Sequence, residues 1–371
     1  MSQVLAAPPA TRRRNPARVL VVLGIVAALA VCAYLFLFVT GSWDFAMKIR
    51  SRQVLSMVLV GYATAFAAVI FQTVTNNRIL TPGVMGFDSL FMLLQTLVVF
   101  LFGASALATL DPRLKFGVEV LAMVAFALVL FRWLFDRGSR DLYVLVLVGI
   151  VLGALFGGLS SLVSRLIDPN DFMTLQDVLF ASFNNVQVDL LAVSALLVVA
   201  ATAFSVPLLR QLDVVALGRE HAVGLGVDHR RVVTRALIVV AVLVSVSTAL
   251  VGPITFLGLL VANLARELVG TFRHRWTVPA ATLVAIVALV GGQFVLARLL
   301  DYNSSLIVVV NFVGGIYFIS LLVRGARLLS PSGISPRTTP APPCSGPSIS
   351  TSRAAGSRRS SVPTAPASRH C

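Results

Sequence analysis

The sequence predicts an all-α protein that crosses a membrane about ten times. Three observations carry this. The 371 residues are 57% hydrophobic and 12% charged, with a mean hydropathy of +0.92, against roughly 45–50% apolar and 25% charged in soluble domains. Apolar runs long enough for a hydrocarbon core of about 30 Å recur from Val19 to Val323. Charge is concentrated between those runs. A water-soluble globule is therefore excluded, and one membrane domain over 19–323 is a better division than two or three soluble domains.

The elements follow in order. Residues 1–18 are a basic N-terminal segment carrying Arg12, Arg13 and Arg14. The apolar stretch behind it has the charge order of a signal peptide, but it is too long and no A-x-A site follows, so it reads as an uncleaved first helix. Membrane helices are expected near 19–40, 54–75, 85–104, 114–135, 142–164, 188–209, 231–250, 254–270, 278–298 and 305–323. The number is even, so both termini share a side. With the N-terminus inside, Arg137, Arg140, Arg230, Arg231, Arg273, Arg275, Arg324 and Arg327 are among many cytoplasmic arginines, while the outside holds only Lys48, Arg50, Arg52, Arg113, Lys115, Arg165 and Arg298. This asymmetry places both termini in the cytoplasm of a multi-pass protein of the bacterial inner (plasma) membrane. It also accounts for most of the net charge of +15 without a nucleic-acid partner.

Two connections are too long to be turns. The outer one, 165–187, carries Asp168, Asp171 and Asp177 around a mildly amphipathic stretch and predicts a short helix lying on the membrane. The inner one, 210–230, predicts a short cytoplasmic helix over about 213–224, with Asp213 as its N-cap and Gly224 and Gly226 ending it. Residues 330–371 are rich in Ser, Pro and Arg and offer little to bury, so they predict a disordered basic tail. Cys32, Cys344 and Cys371 have neither metal-ligand nor disulfide spacing.

Small residues recur every fourth position in the fifth helix: Gly149, Gly153, Gly157 and Ser161, with Gly158 alongside. Such a face permits close helix approach. It reads either as packing within the chain or as a border with a second subunit along a pathway. Ionisable groups at mid-span, which an ion-driven carrier needs, are scarce: Asp44, Asp88 and Glu119 lie near the ends of runs, and mid-span polarity comes from Gln72, Gln95, Gln293 and Asn311. This argues against an ion-coupled carrier and a metal channel. There is no Walker A loop, no H-E-x-x-H, no Cys/His cluster and no clustered catalytic set, so no enzyme and no metal site is expected. If ATP drives transport, another chain must bind it and grip a cytoplasmic element.

Four stretches together resemble the FecCD-type permeases of ATP-binding-cassette importers for iron-siderophores, haem and cobalamin. Ile49-Arg50 is similar to an Ile-Arg-Leu-Pro-Arg motif, with Ser51, Arg52 and Gln53 replacing its last three residues. The run Asn77 to Gly86 resembles Asn-Pro-Leu-(x)2-Pro-Gly-(x)2-Gly, with Arg78 in place of proline. Leu217-Gly218, Ala222 and Leu225-Gly226-Val227 resemble the loop that docks the ATPase. Gly252 to Leu259, ending Leu264-Ala265-Arg266, resembles Gly-Pro-Ile-(x)-Phe-Val-Gly-Leu to Pro-His-Leu-Ala-Arg, with Ala262 and Asn263 replacing Pro-His. The wording around Thr81–Asp88 and Asn311–Tyr317 is most similar to the ferric-siderophore branch.

The resemblance implies a type II importer permease fold of ten helices that binds no cofactor itself, ATP and Mg²⁺ belonging to a cytoplasmic ATPase pair. It further implies a second permease, either a different homologous chain or another copy, and an extracytoplasmic binding protein that delivers a ferric siderophore. To ATPase coupling it assigns Leu217, Gly218, Ala222, Leu225 and Gly226, with Arg219 and Glu220 beside them able to form charge pairs at the rim of the contact. Arg50 and Arg298, with Arg52, would meet the binding protein. Gly149, Gly153, Gly157 and Ser161 would border the second permease. Pro82, Gly83, Gly86, Gly252 and Pro253 would form structural turns. Cobalamin or haem remains an alternative cargo, and an ion-coupled secondary transporter an alternative machine.

Overall fold

The computed structural model describes residues 15–37, 42–103, 105, 110–136, 142–179, 182–183, 186–299, 309–317 and 319–320. These lie in a unit spanning Met1–Gly325; the second unit, Ala326–Cys371, falls wholly outside the described residues, as do the predicted tail and the first 14 residues of the basic N-terminal segment. The described helices are α1 (Pro16–Phe36), α2 (Trp43–Val74), α3 (Phe87–Phe102), α4 (Pro112–Asp136), α5 (Leu142–Ser164), α6 (Pro169–Leu179), α7 (Val188–Val215), α8 (Arg219–Gly224), α9 (His229–Val251), α10 (Leu257–Val269) and α11 (His274–Leu299), with a 3₁₀ turn at Pro82–Met85. Residues 309–317 are again helical. Seven of the described helices are long and apolar enough to cross a membrane, and α3 is a shorter apolar one.

The centre is built on α2 and α9. In each, 72% of the most apolar window is buried, against 11% in α1. Helix α2 packs on α9, α11 and α10, α1 lies against α11, and α7 and α4 flank α9. Apolar lipid supplies no hydrophobic drive between helices, so close packing has to hold them. The sequence meets this with Ala63, Ala65, Ala67 and Ala68 interleaved with Phe66, Ile70 and Phe71, all at most 1% exposed. A Cβ at Gly61 would sit 3.3 Å from Leu289 Cδ1, so glycine lets α11 close on α2.

Three expected boundaries shift. Helix α2 begins at Trp43 rather than 54 and runs 32 residues, about 48 Å. Lys48, Arg50 and Arg52 depress hydropathy over its first turns without breaking the helix. The outer connection does form a short helix, α6, burying Leu175 and exposing Met173. On the inner connection, α7 continues to Val215 and absorbs Asp213, so the short helix is only Arg219–Gly224. Asp213 is not its N-cap, because the carboxylate is engaged by His274.

Candidate functional site

The connection between α7 and α9 is a compact, self-satisfied turn. Leu217 and Gly218 close the end of α7 through bonds to Val214 and Val215 carbonyls. Gly218 then takes φ +100° and ψ 161°, a region open essentially to glycine that costs an L side chain about 1–3 kcal/mol, and starts α8. The helix ends in a Schellman arrangement: Val227 N donates to Ala222 O and Gly226 N to Val223 O, both at 3.0 Å, with Gly226 at φ +79°. Asp228 next caps α9, accepting from Arg231 N at 3.2 Å.

This turn presents Leu217, Val223 and Leu225 outward, 57–64% exposed, with Arg219 and Glu220 exposed beside them. Ala222 is fully buried and Gly218 half-buried. Of the residues assigned to ATPase contact, Ala222 therefore belongs underneath the turn: helical periodicity points it at the bundle while its neighbours point away. Val223, passed over in the sequence, takes its place on the exposed face.

Behind the turn lies a polar joint among helix ends. Asp213, in the last turn of α7, accepts from the backbone N–H of His274 at 2.9 Å and pairs with His274 Nδ1 at 2.5 Å. The other ring nitrogen meets Thr73 Oγ1, near the end of α2, at 2.9 Å. Arg266, in the last turn of α10, donates to Gln72 Oε1 and, at 3.4 Å, to Val69 O. Asn263 Nδ2 donates to Arg78 O at 2.9 Å, so two residues that depart from the family pattern bind one another. The joint thus ties the helix preceding α8 to α2 and α11, with α10 attached to α2 alongside. A cavity of about 600 Å³ opens beside it, lined in part by Asn76, Asn77, Tyr143, Gly218, Arg219 and His229.

A second cluster is formed by two interrupted stretches deeper in the bundle. Pro82 opens the 3₁₀ turn, and Gly86, at φ +92°, ends it. Gly252, at φ +96°, ends α9, and residues 252–256 run without regular helix before α10. Thr255 Oγ1 donates to Asp88 Oδ2 at 3.0 Å and joins the two stretches. At Gly83 a Cβ would lie 2.7 Å from that same carboxylate oxygen, so a side chain there would displace the carboxylate from its place against Thr255.

The small-residue face of α5 meets this region from the other side. A Cβ at Gly149 would stand 2.9 Å from Met85 Cα, and one at Gly153 3.0 Å from Gly86 Cα. At these two positions the bare face is filled within the chain, which corrects the subunit-border assignment there. Gly157 is half-buried, with Ser89 Oγ 3.9 Å from its Cβ position, and Ser161 is exposed.

Among the outer arginines, Arg50 Nη1 donates to the carbonyls of Tyr34, Leu35 and Leu37 at 2.9, 3.2 and 3.0 Å. It closes the end of α1. Arg52 is exposed, and the side chain of Arg298 lies outside the described residues.

The FecCD transport family model matches residues 19–324, nearly the whole helical bundle. The chain belongs to the FecCD transport family. It is 47% identical over 312 residues to the petrobactin import system permease protein YclO of Bacillus subtilis, covering 84% of this chain and 98% of that one. It is 32% identical over 284 residues to the petrobactin import system permease protein FatC of Bacillus anthracis, covering 76% and 80%. Its backbone superposes on a solved metal-chelate type ABC transporter in an inward-facing conformation with a TM-score of 0.72 at 21% identity, covering 84% of this chain and all of that one. The FecCD fold is therefore the fold of this bundle, and the chain is a transport protein rather than an enzyme.

Proposed function

We propose that this chain is the permease subunit of an ATP-driven importer that carries a ferric siderophore into the cytoplasm. The observation that carries the reading is the family match across 19–324 together with relatives at 47% and 32% identity whose names both specify petrobactin import. Ferric petrobactin is accordingly the proposed cargo. In this reading residues 19–323 form the permease domain, with both termini in the cytoplasm, flanked by the basic segment 1–18 and the disordered tail 330–371. The chain pairs with a second, homologous permease and binds no cofactor; ATP and Mg²⁺ are bound by a separate ATPase dimer.

The exposed Leu217, Val223 and Leu225, rimmed by Arg219 and Glu220, seat that ATPase. Apolar anchors inside a charged rim are the usual composition of such a contact. Because Asp213 lies one turn before this seat and is bonded to His274, displacement of α8 is passed to α11 and α2. On the opposite side, Arg50, Arg52 and Arg298 meet acidic groups on the binding protein. Gly157 and Ser161 remain candidates for the border with the second permease.

Uptake of radiolabelled iron tests the cargo in an iron-starved host that lacks this chain and is then complemented with it. Iron from ferric petrobactin should enter only on complementation. Restoration of haem or cobalamin uptake instead, with no entry of petrobactin iron, overturns the cargo assignment while leaving the importer reading intact.

A further inference from the structure

Between the two interrupted stretches lies a cavity of about 30 Å³, room for a water-sized occupant or two and for no organic chelate. Six oxygen-bearing side chains line it: Thr64, Thr81, Asp88, Ser247, Thr248 and Thr255. Thr81 and Thr248 are 5% and 4% exposed. Among the described residues neither of their hydroxyls, nor that of Thr64, has a hydrogen-bond partner. Thr255 fixes the Asp88 carboxylate from one side and the bare backbone of Gly83 admits it from the other. Thr64 lies ten residues from the end of α2, about 15 Å of helix, so the cavity is well inside the bundle.

We propose that this cavity is a binding site for one monovalent cation, Na⁺ by its chemistry, held by the Asp88 carboxylate and the hydroxyl oxygens of Thr64, Thr81 and Thr248. The charge count selects the valence. The lining holds one carboxylate and no basic side chain, and an uncompensated charge within a membrane is expensive. One positive charge neutralises the site; a divalent ion leaves it charged and ordinarily takes more carboxylates or retained waters. The donors are all hard oxygens, with no sulfur or imidazole to favour a transition metal. Interrupted helices, whose backbone is freed from helical bonding, are where membrane transporters accommodate small ions.

The ion is a tie and not a fuel. Thr81 and Asp88 flank the 3₁₀ turn, Thr248 sits in α9, Thr64 in α2, and Thr255 between α9 and α10. A cation shared by these residues adds a polar tie, beside the Thr255–Asp88 bond, between elements that already pack on one another. The assignment is independent of the cargo and of the ATPase contact.

The test uses the full-length chain in nanodiscs with its co-purifying subunits. NaCl is titrated at constant ionic strength against choline chloride, with thermal unfolding and radiosodium retention as readouts. The parent should show a saturable, Na⁺-dependent rise in unfolding midpoint and retain about one Na⁺ per chain, because a ligand bound only by the folded state stabilises it by mass action. D88N should lose both. T248V, which removes one hydroxyl and no charge, should weaken Na⁺ affinity about tenfold, the scale of one bond to a charged group. The proposal is overturned if the parent responds identically to Na⁺ and choline, or if D88N retains Na⁺. A parent that ignores Na⁺ beside a D88N variant of equal or greater stability identifies a protonated Asp88 with a water in the cavity. Should D88N fail to fold, unchanged Na⁺ affinity in T248V still overturns the hydroxyl cage.

Discussion

Replacing Gly149 by alanine places one methyl group 2.9 Å from Met85 Cα and 3.2 Å from its Cβ. Backbone, not a flexible side-chain tip, stands in the way, so α5 has to move from the 3₁₀ turn. Overpacking of this kind costs about 1–3 kcal/mol. Glycine-to-alanine exchange in a helix also returns about 1 kcal/mol through propensity, which obscures a single measurement. Gly158, on the same helix, supplies the reference: a Cβ there meets nothing within 4 Å. The helix contribution cancels between Gly149→Ala and Gly158→Ala, leaving the overpacking cost of about 1–3 kcal/mol as the difference between them. Thermal unfolding of the two variants in nanodiscs should separate them by several degrees, with Gly158→Ala at or above the parent. Coincident transitions refute the intramolecular packing of this face. A Met85→Cys/Gly149→Cys pair should also cross-link within one chain, and bridges found only between chains contradict it.

Gly218→Leu forces a side chain into φ +100° at a cost of about 1–3 kcal/mol and reshapes the proposed ATPase seat; siderophore uptake should vanish while immunoblots find normal amounts in the membrane. Asp213→Ala strips the partner from two buried groups of His274, costing about 1–3 kcal/mol for each left unpaired. ATP consumed per iron imported should rise in that variant, and Asp213→Asn, which keeps an acceptor, should recover most of the coupling. Arg52→Glu combined with Arg298→Glu should slow binding-protein association and flatten its salt dependence. Adding Arg50→Glu should destabilise the chain as well, because Arg50 also closes the end of α1.

The helices were legible because each needs an uninterrupted apolar run, and a run is a property of adjacent residues. Each of the ten expected spans overlaps described helix, the last of them over 309–317 and 319–320, and α6 emerges where the acidic, amphipathic stretch 165–187 placed a short one. Side-chain pairing across the bundle was not legible. Asp213 is as good an N-cap by type as it is a partner for His274, and only the packing of α11 decides between them. Asp88 lies near the start of its apolar run, yet the 3₁₀ turn carries that start into the bundle against Thr255, 167 residues away. Glu119 likewise sits close to the start of its helix but is buried, accepting from Gln95 Nε2 at 2.8 Å. For the glycines of α5, four-residue spacing announces a close approach without naming the neighbour; that neighbour is the turn around Met85 and Gly86. Within α8, Ala222 fitted the family pattern, but the direction of its side chain depends on where α8 begins, and the start moved from Asp213 to Arg219.

The central claim is that another chain's ATP hydrolysis drives transport through this one. Its most direct test reconstitutes the chain with its ATPase, partner permease and binding protein in liposomes, and follows entry of labelled ferric siderophore. Uptake should begin on addition of Mg·ATP, fail with a non-hydrolysable analogue, and persist when ionophores collapse the proton and sodium gradients. Uptake that instead follows an imposed ion gradient without ATP would contradict the account.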